Sequence, residues 1–244
     1  MKTVILLLSM IMTLLADIGA ITAVKGSAEL QHQGSVQTVQ KGLGINTEDL
    51  LVTASASKVQ VILNDNTVIT IGPESQYLFE RYDDGENPEV SMELKRGFFK
   101  VITGKIGKIA PKRFTVKTRS AVIGIRGTQF MASLHDDEEI IACTKGRISV
   151  TTLDRVFEIN RGEMLSYSDG AWQKTPIEMR RFTPVSVKKE VKSDESDTLR
   201  NSDWSYMPGL ENSDALQEQI IKNHDDEREG FLPFDFGGFQ EGGG

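Results

Sequence analysis

The sequence predicts an all-β domain, and three observations lead to that prediction. From about residue 22 to residue 175, short β-branched runs alternate with turn residues. No stretch of this region keeps the 3.6-residue period of an amphipathic helix. Glycine, asparagine and aspartate recur between the runs, where tight connections need them. Short, hairpin-rich strands of this kind fit two architectures equally, a two-sheet sandwich and a β-helix-like stack.

The turn residues define the individual strands. Asp65-Asn66 predicts a two-residue hairpin turn, because both residues tolerate a positive φ. Arg96-Gly97 and Lys145-Gly146 predict further tight connections, each between two separate strands, and Asn160-Arg161-Gly162 predicts another. The predicted strands are 58–64, 67–71, 76–80, 89–94, 98–103, 113–118, 121–125, 129–134, 140–144, 147–151, 155–159 and 164–167.

The first twenty residues have the layout of a secretory signal peptide. Lys2 precedes the apolar run Val4–Leu15, and several small residues follow. The run is shorter than the roughly 20 residues that a membrane-spanning helix needs. We expect cleavage after Ala20, with Ala16 and Ala23 as alternative sites. An uncleaved signal anchor is the competing hypothesis.

The composition changes near Pro176, so we expect the β domain to span residues 21–178. Residues 179–211 are predicted to be an acidic linker, since they carry few large apolar groups and cannot offset their ordering entropy. Residues 212–244 are predicted to hold one short helix, over 212–223, and a Gly/Phe-rich tail. That tail is expected to be largely disordered, or else to act as a docking peptide.

No catalytic or metal-binding signature is found in the sequence. Cys143 is the only cysteine, which excludes an intrachain disulfide, and its alternating surroundings predict a small buried hydrophobe. His32, His135 and His224 lack the spacing of zinc ligands. Phosphate-loop, nucleophile-elbow and zinc-protease motifs are absent. We therefore expect a non-catalytic protein with no cofactor and no bound metal.

The charge distribution suggests an anionic partner. Residues 95–126 contain ten Lys or Arg and no acidic residue, whereas the remainder has 18 basic against 35 acidic residues. Such a stripe can attract an anionic partner, although strand alternation could spread it over two solvated faces. Nucleic acid is not an expected partner of an exported acidic chain, and membrane contact is expected only if the N-terminal segment stays uncleaved. The candidate patch is Lys95, Arg96, Lys100, Lys105, Lys108, Lys112, Arg113, Lys117 and Arg119.

The sequence Gly-Ile-Arg-Gly-Thr within residues 121–130 predicts a specified backbone turn. Gly124 and Gly127 would allow a tight turn or a close approach to another backbone. Arg126 is expected to donate hydrogen bonds to several carbonyls at the bend, with the Thr128 hydroxyl tied to the same turn. In the alternative hypothesis, Arg126 faces outward and binds an anionic ligand.

Taken in order, these motifs resemble the FecR domain family over about residues 40–170. Glu48, Asn66 and Lys145 depart from the family pattern, which has glycine, glycine and an acidic residue there. The residues that carry the resemblance are Asp49, Asp65, Asn66, Gly97, Phe114, Gly124, Arg126, Gly127, Thr128, Phe130, Gly146, Gly162 and Glu163.

The resemblance implies a FecR-type β domain from a surface-signalling system, in the periplasm of a Gram-negative bacterium. Typical members also carry a cytoplasmic anti-sigma region, which we do not expect here because only the signal-like segment precedes the β domain. The sequence therefore predicts an exported binding or scaffold module for a protein or an anionic cell-envelope polymer. The alternative is a component of a transmembrane signalling system held by an uncleaved N-terminal anchor.

Overall fold

The computed structural model describes residues 17–135 and 138–182, and this region is all-β, as predicted. It also contains the single-turn helix α1 (Ile106–Ile109) and two 3-10 turns, Pro111–Arg113 and Met179–Phe182. The predicted helix at 212–223 and the Gly/Phe-rich tail lie outside the described residues. The strands are β1 (Gly19–Lys25), β2 (Ala28–His32), β3 (Ser35–Thr38), β4 (Gly44–Ile45), β5 (Leu50–Thr53), β6 (Lys58–Leu63), β7 (Val68–Ile71), β8 (Gln76–Asp83), β9 (Glu89–Ile102), β10 (Phe114–Lys117), β11 (Val122–His135), β12 (Glu138–Thr151), β13 (Val156–Asn160), β14 (Glu163–Ser168) and β15 (Ala171–Pro176).

The hydrogen-bonded ladders form two sheets that share the three long strands β9, β11 and β12. Sheet I has the order β3, β2, β5, β8, β9, β10, β11, β12, β13. Sheet II has the order β4, β1, β6, β7, β9, β11, β12, β14, β15. Each shared strand bends and contributes one part to each sheet. Sheet I receives residues 89–96, 122–126 and 147–151, and sheet II receives 97–102, 129–135 and 138–145.

The prediction that Arg96-Gly97 and Lys145-Gly146 separate pairs of strands was wrong. Each dipeptide lies inside one continuous strand, and Arg126-Gly127-Thr128 likewise lies inside β11. Gly97, Gly127 and Gly146 have φ values of 93°, 60° and 77°. A glycine at positive φ lets a strand turn from one sheet into the other without ending. The same residue type marks hairpins, so the sequence pattern does not distinguish the two.

The inner faces of the two sheets pack on one main core, as in a two-sheet sandwich. Tyr77 of sheet I contacts Phe99 of sheet II with ring centroids 5.3 Å apart, and Phe99 meets Phe130 edge-on at 5.7 Å. Cys143 is fully buried in this core, as predicted, and burial raises the pKa of its thiol. In the part of the chain that the structure describes, no helix is long and apolar enough to cross a membrane.

Strand β1 lies inside sheet II, between β4 and β6. It begins at Gly19, and the preceding Ile18 is already buried. The sheet therefore starts N-terminal to residue 21, where the sequence placed the beginning of the β domain.

Candidate functional site

The two aspartates of the family motif hold turns in place. The buried Asp49 carboxylate accepts a hydrogen bond from the Asn46 N–H at 2.8 Å and lies 2.6 Å from Nδ1 of His32. Asp65 and Asn66 form the predicted turn between β6 and β7, where Asn66 has a φ of 67°. Both positions are architectural, because the aspartates are buried and their oxygens are engaged with the protein itself.

The Arg-Gly-Thr element is the corner at which β11 passes from sheet I to sheet II. Thr103 ties this corner: its hydroxyl donates to the Thr128 carbonyl at 3.1 Å and accepts from the Thr128 N–H at 3.0 Å. Gly146, in the neighbouring bend of β12, packs directly against the Gly127 carbonyl. Gly124 lies against Ser149 in sheet I, where an added Cβ would lie 2.8 Å from the Ser149 hydroxyl oxygen. The two predicted roles for glycine, tight bending and close approach, are both present.

Two expected hydrogen bonds at this corner are not found. The buried Thr128 hydroxyl has no partner within the described chain, because Thr103 supplies the tie instead. The Arg126 side chain is exposed and makes no hydrogen bond or ion pair with any described residue. It therefore does not bind the carbonyls of the bend, and it faces outward as the alternative hypothesis held.

We give the name basic corner to four cations at the bends of β11 and β12 and in the turn after β13, namely Arg126, Lys145, Arg147 and Arg161. Arg126 lies directly opposite Arg147 in the β11–β12 register. Arg161 joins them because its N–H donates to the Gly146 carbonyl at 3.1 Å. Glu158 neutralises Arg147 at 3.1 Å, which leaves Arg126 and Arg161 without a carboxylate partner among the described residues. Like charges directly opposite each other in a sheet are destabilising, so this pairing has a local cost.

The predicted basic patch does not form one cationic surface. Lys117, Arg113 and Lys95 lie 2.8 Å, 3.1 Å and 3.8 Å from carboxylates of Glu80, Glu89 and Glu93. The other patch members are distributed over separate elements. Arg96 lies beside the bend of β9, Lys100 on the sheet II part of β9, Lys105 and Lys108 at α1, Lys112 in the first 3-10 turn, and Arg119 in the β10–β11 turn.

A cleft of about 480 Å³ brings two patch residues close to aromatic side chains. Lys117 and Arg119 line it together with Tyr167 and Trp172, whose ring centroids are 5.0 Å apart. Two residues that line the cleft bond to the fully buried Glu139, whose carboxylate accepts hydrogen bonds from the Thr118 hydroxyl and, at 3.2 Å, from the Ser120 N–H.

Burial raises the pKa of Glu139, and the hydrogen bonds from Thr118 and Ser120, which lower it, offset this only in part. The Thr118 hydroxyl has one hydrogen but two acceptors in reach, Glu139 and the Ala121 carbonyl at 3.0 Å. A protonated Glu139 can donate to Thr118, which then donates to Ala121. Glutamine, like the protonated acid, offers a carbonyl acceptor and a donor, although its amide carries one further N–H.

We expect a Glu139→Gln variant to gain stability over the wild type as the pH rises. A glutamate whose pKa is higher in the folded than in the unfolded protein, where it is about 4.3, does not lower the free energy of unfolding at pH values below the unfolded pKa. Above the unfolded pKa the free energy of unfolding falls, and the loss reaches its full size once the pH passes the folded pKa. The full loss is about 1.4 kcal/mol for each pH unit by which the two pKa values differ. Urea unfolding between pH 4 and pH 8 measures this, with the exposed Glu86→Gln as the control for losing a carboxylate. A difference that is constant with pH would contradict the expectation.

The remaining motif residues support the frame around the corner. Phe114 and Phe130 are fully buried in the main core, and Gly97 bends β9. Gly162 turns the chain from β13 into β14 at a φ of 84°. Glu163 pairs with Lys174 at 2.8 Å and accepts from the Asn160 N–H at 2.7 Å, and the Lys174 hydrogen bond is the main cause that lowers its pKa.

Sequence reasoning missed Arg147, Arg161 and Glu139 as members of local sites. The two arginines follow Arg126 by more than twenty residues, and only the pairing of β11 with β12 brings them together. Within the described ranges, no group of three or more His, Cys, Asp or Glu side chains could hold a metal ion.

Comparison with known proteins agrees with the resemblance seen in the motifs. The family model described as "FecR protein" matches residues 49–149, whereas no curated protein matches this chain. Two crystal structures, at 1.65 Å and 2.50 Å resolution, are described as a "putative anti-sigma factor" from Parabacteroides distasonis ATCC 8503. They are 18% and 20% identical to this chain, each with a TM-score of 0.45. Each match covers 52% of this chain and 59% of the crystallised chain, so this chain spans less than two thirds of that protein's length.

Residues 49–149, which include the bends of β9, β11 and β12 and the Arg-Gly-Thr corner, match the model of the FecR family.

Proposed function

We propose that this protein is an exported, non-catalytic recognition module that binds an anionic polymer of the cell envelope at the basic corner. The exposed Arg126, opposite Arg147 and without a carboxylate partner among the described residues, is the observation that carries the proposal. The signal-like N-terminus supports export to the periplasm of a Gram-negative bacterium. The proposal includes no catalytic step, cofactor or metal.

The proposal rests on the charge of Arg126, which has no described carboxylate partner and lies at a rigid bend. Arg126 lies on a bend fixed by Thr103 and by the contact between Gly127 and Gly146. A phosphate or carboxylate group bound between Arg126 and Arg161 would supply the counter-charge that both lack among the described residues. Guanidinium groups bind such anions with two parallel hydrogen bonds, which makes arginine better suited than lysine to this role.

A second candidate function is a part in transmembrane cell-surface signalling, with the N-terminal segment retained as an anchor. The match of residues 49–149 to the FecR family favours it. In that case the basic corner would contact an acidic surface of a partner protein. Mature protein released from the membrane would argue against this role, and membrane-retained protein of full length would argue for it.

We expect Arg126→Ala to weaken binding to Gram-negative envelope fragments while the protein stays folded. Loss of one charge-assisted contact costs about 1.5–3 kcal/mol, which corresponds to roughly 10- to 100-fold weaker binding. Co-sedimentation of the full mature chain with the fragments at low and high salt measures this. Lys25→Ala, an exposed cation at the end of β1, is the matched control and should bind like the wild type.

The salt series provides a second test. Binding by exposed charges falls as salt screens them, so wild-type binding should decrease at high salt. Binding that is absent, insensitive to salt, or equally strong in Arg126→Ala and the wild type would contradict the proposal.

A further inference from the structure

The first described residues form part of sheet II. The Asn64 side-chain amide donates to the Asp17 carbonyl at 2.8 Å, and the Asn64 N–H donates to the Ile18 carbonyl at 2.9 Å. On the other side, the Ile18 N–H donates to the Ile45 carbonyl at 2.7 Å. Before β1 begins, residue 18 is therefore held from both sides and residue 17 from one.

The next two residues are paired on both edges. Gly19 and Ala20 lie opposite Leu63 and Ile62 of β6, and opposite Ile45 and Gly44 of β4. Gly19 has no room for a side chain, because an added Cβ would lie 2.8 Å from the Leu63 Cα. The Ile18 side chain is 7% exposed and belongs to the main core. Asp17 to Ala20 thus make the contacts of an interior strand of the sheet.

We infer that the leader is removed between Ala16 and Asp17. This inference rests on the export proposed above. Hydrolysis of that amide by water would give an Ala16 carboxylate on the leader and an Asp17 α-ammonium group on the mature chain. Of the three small residues considered as cleavage sites, only Ala16 leaves β1 whole.

Cleavage at the other two positions would damage the fold. A cut after Ala20 would remove Ile18 and Gly19, together with the partners of Asn64 and Ile45. A cut after Ala23 would also remove Ile21, which is 1% exposed in the core. The sequence around the three bonds does not distinguish them. The third residue before each bond is large and apolar, namely Leu14, Ile18 or Ile21, where leader peptides carry small residues.

The test is the N-terminus of the protein recovered from the periplasm after expression of the full chain in a Gram-negative host. Intact mass and N-terminal peptide mapping should identify Asp17 as the first residue. A mature chain that begins at Ile21 or Val24 would overturn the inference. Full-length protein that still begins at Met1 would overturn it too, and would count against leader removal as such.

A second measurement tests, without export, whether residues 17–20 stabilise the fold. Chains that begin at Asp17 or at Ile21 are made without a leader and compared by thermal unfolding. The shorter chain should melt about 10 °C lower, given the lost strand hydrogen bonds and the lost burial of Ile18. Equal melting temperatures would overturn the argument that residues 17–20 are needed for the fold, on which the inference rests.

Discussion

Replacement of Gly146 by alanine is expected to lower the free energy of unfolding by about 3 kcal/mol or more. Gly146 has a φ of 77°, and an added Cβ would lie 2.6 Å from the Gly127 carbonyl oxygen and 2.9 Å from Cγ2 of Thr128. Positive φ alone costs an alanine about 1–2 kcal/mol. The clash adds to this, because the Gly127 oxygen is backbone at a corner that Thr103 holds in place.

The matched control is Gly127→Ala, on the facing strand of the same corner. Gly127 has a φ of 60°, but an added Cβ would meet nothing within 4 Å. Its loss should therefore be limited to the conformational cost of about 1–2 kcal/mol. Urea titrations of both variants, followed by far-UV circular dichroism, measure the difference. Equal losses would show that the close approach of the two bends does not stabilise the corner.

Asp65→Ala is expected to cost about 3 kcal/mol or more, because it leaves several buried donors without an acceptor. The Asp65 carboxylate accepts from the Thr67 N–H at 2.9 Å, the Thr67 hydroxyl at 3.0 Å and the Ile106 N–H at 3.1 Å. These bonds join the β6–β7 turn to the start of α1.

Asp65→Asn separates the lost acceptor from the lost side chain. The asparagine keeps one carbonyl oxygen at nearly the same place, so its loss of stability should be intermediate between the wild type and Asp65→Ala. Chemical denaturation of the three proteins under one set of conditions gives the comparison. A loss below about 1 kcal/mol for Asp65→Ala would show that water replaces the carboxylate.

The existence and type of most strands could be predicted from local pattern. Residues 58–71 show why: an apolar run, two turn-forming residues and a second apolar run specify a hairpin with little help from the rest of the chain. The bends at Gly97 and Gly146 could not be predicted in this way. Whether a glycine ends a strand or bends it depends on which strands lie beside it, and that is a property of the whole sandwich.

For the same reason, the candidate site could be predicted only in part from the sequence. Runs of basic residues can be counted along the chain, but their neutralisation by Glu80, Glu89 and Glu93 depends on strand pairing. Arg126 was identified from its motif, whereas the cations that surround it come from β12 and the turn after β13. The FecR signature therefore specifies the bend of β11. That bend exposes Arg126, whose side chain makes no hydrogen bond or ion pair with the described residues.

The most direct test of the account is site-specific photo-crosslinking from the basic corner in whole cells. A photoreactive amino acid at Asn160, which is exposed opposite Arg147 and next to Arg161, should capture an envelope component, and Arg126→Ala in the same chain should abolish that product. The same amino acid at Gln37, exposed on the edge strand β3, should capture no such product. A product that forms equally from Gln37, or that persists in Arg126→Ala, would contradict the assignment of recognition to the basic corner.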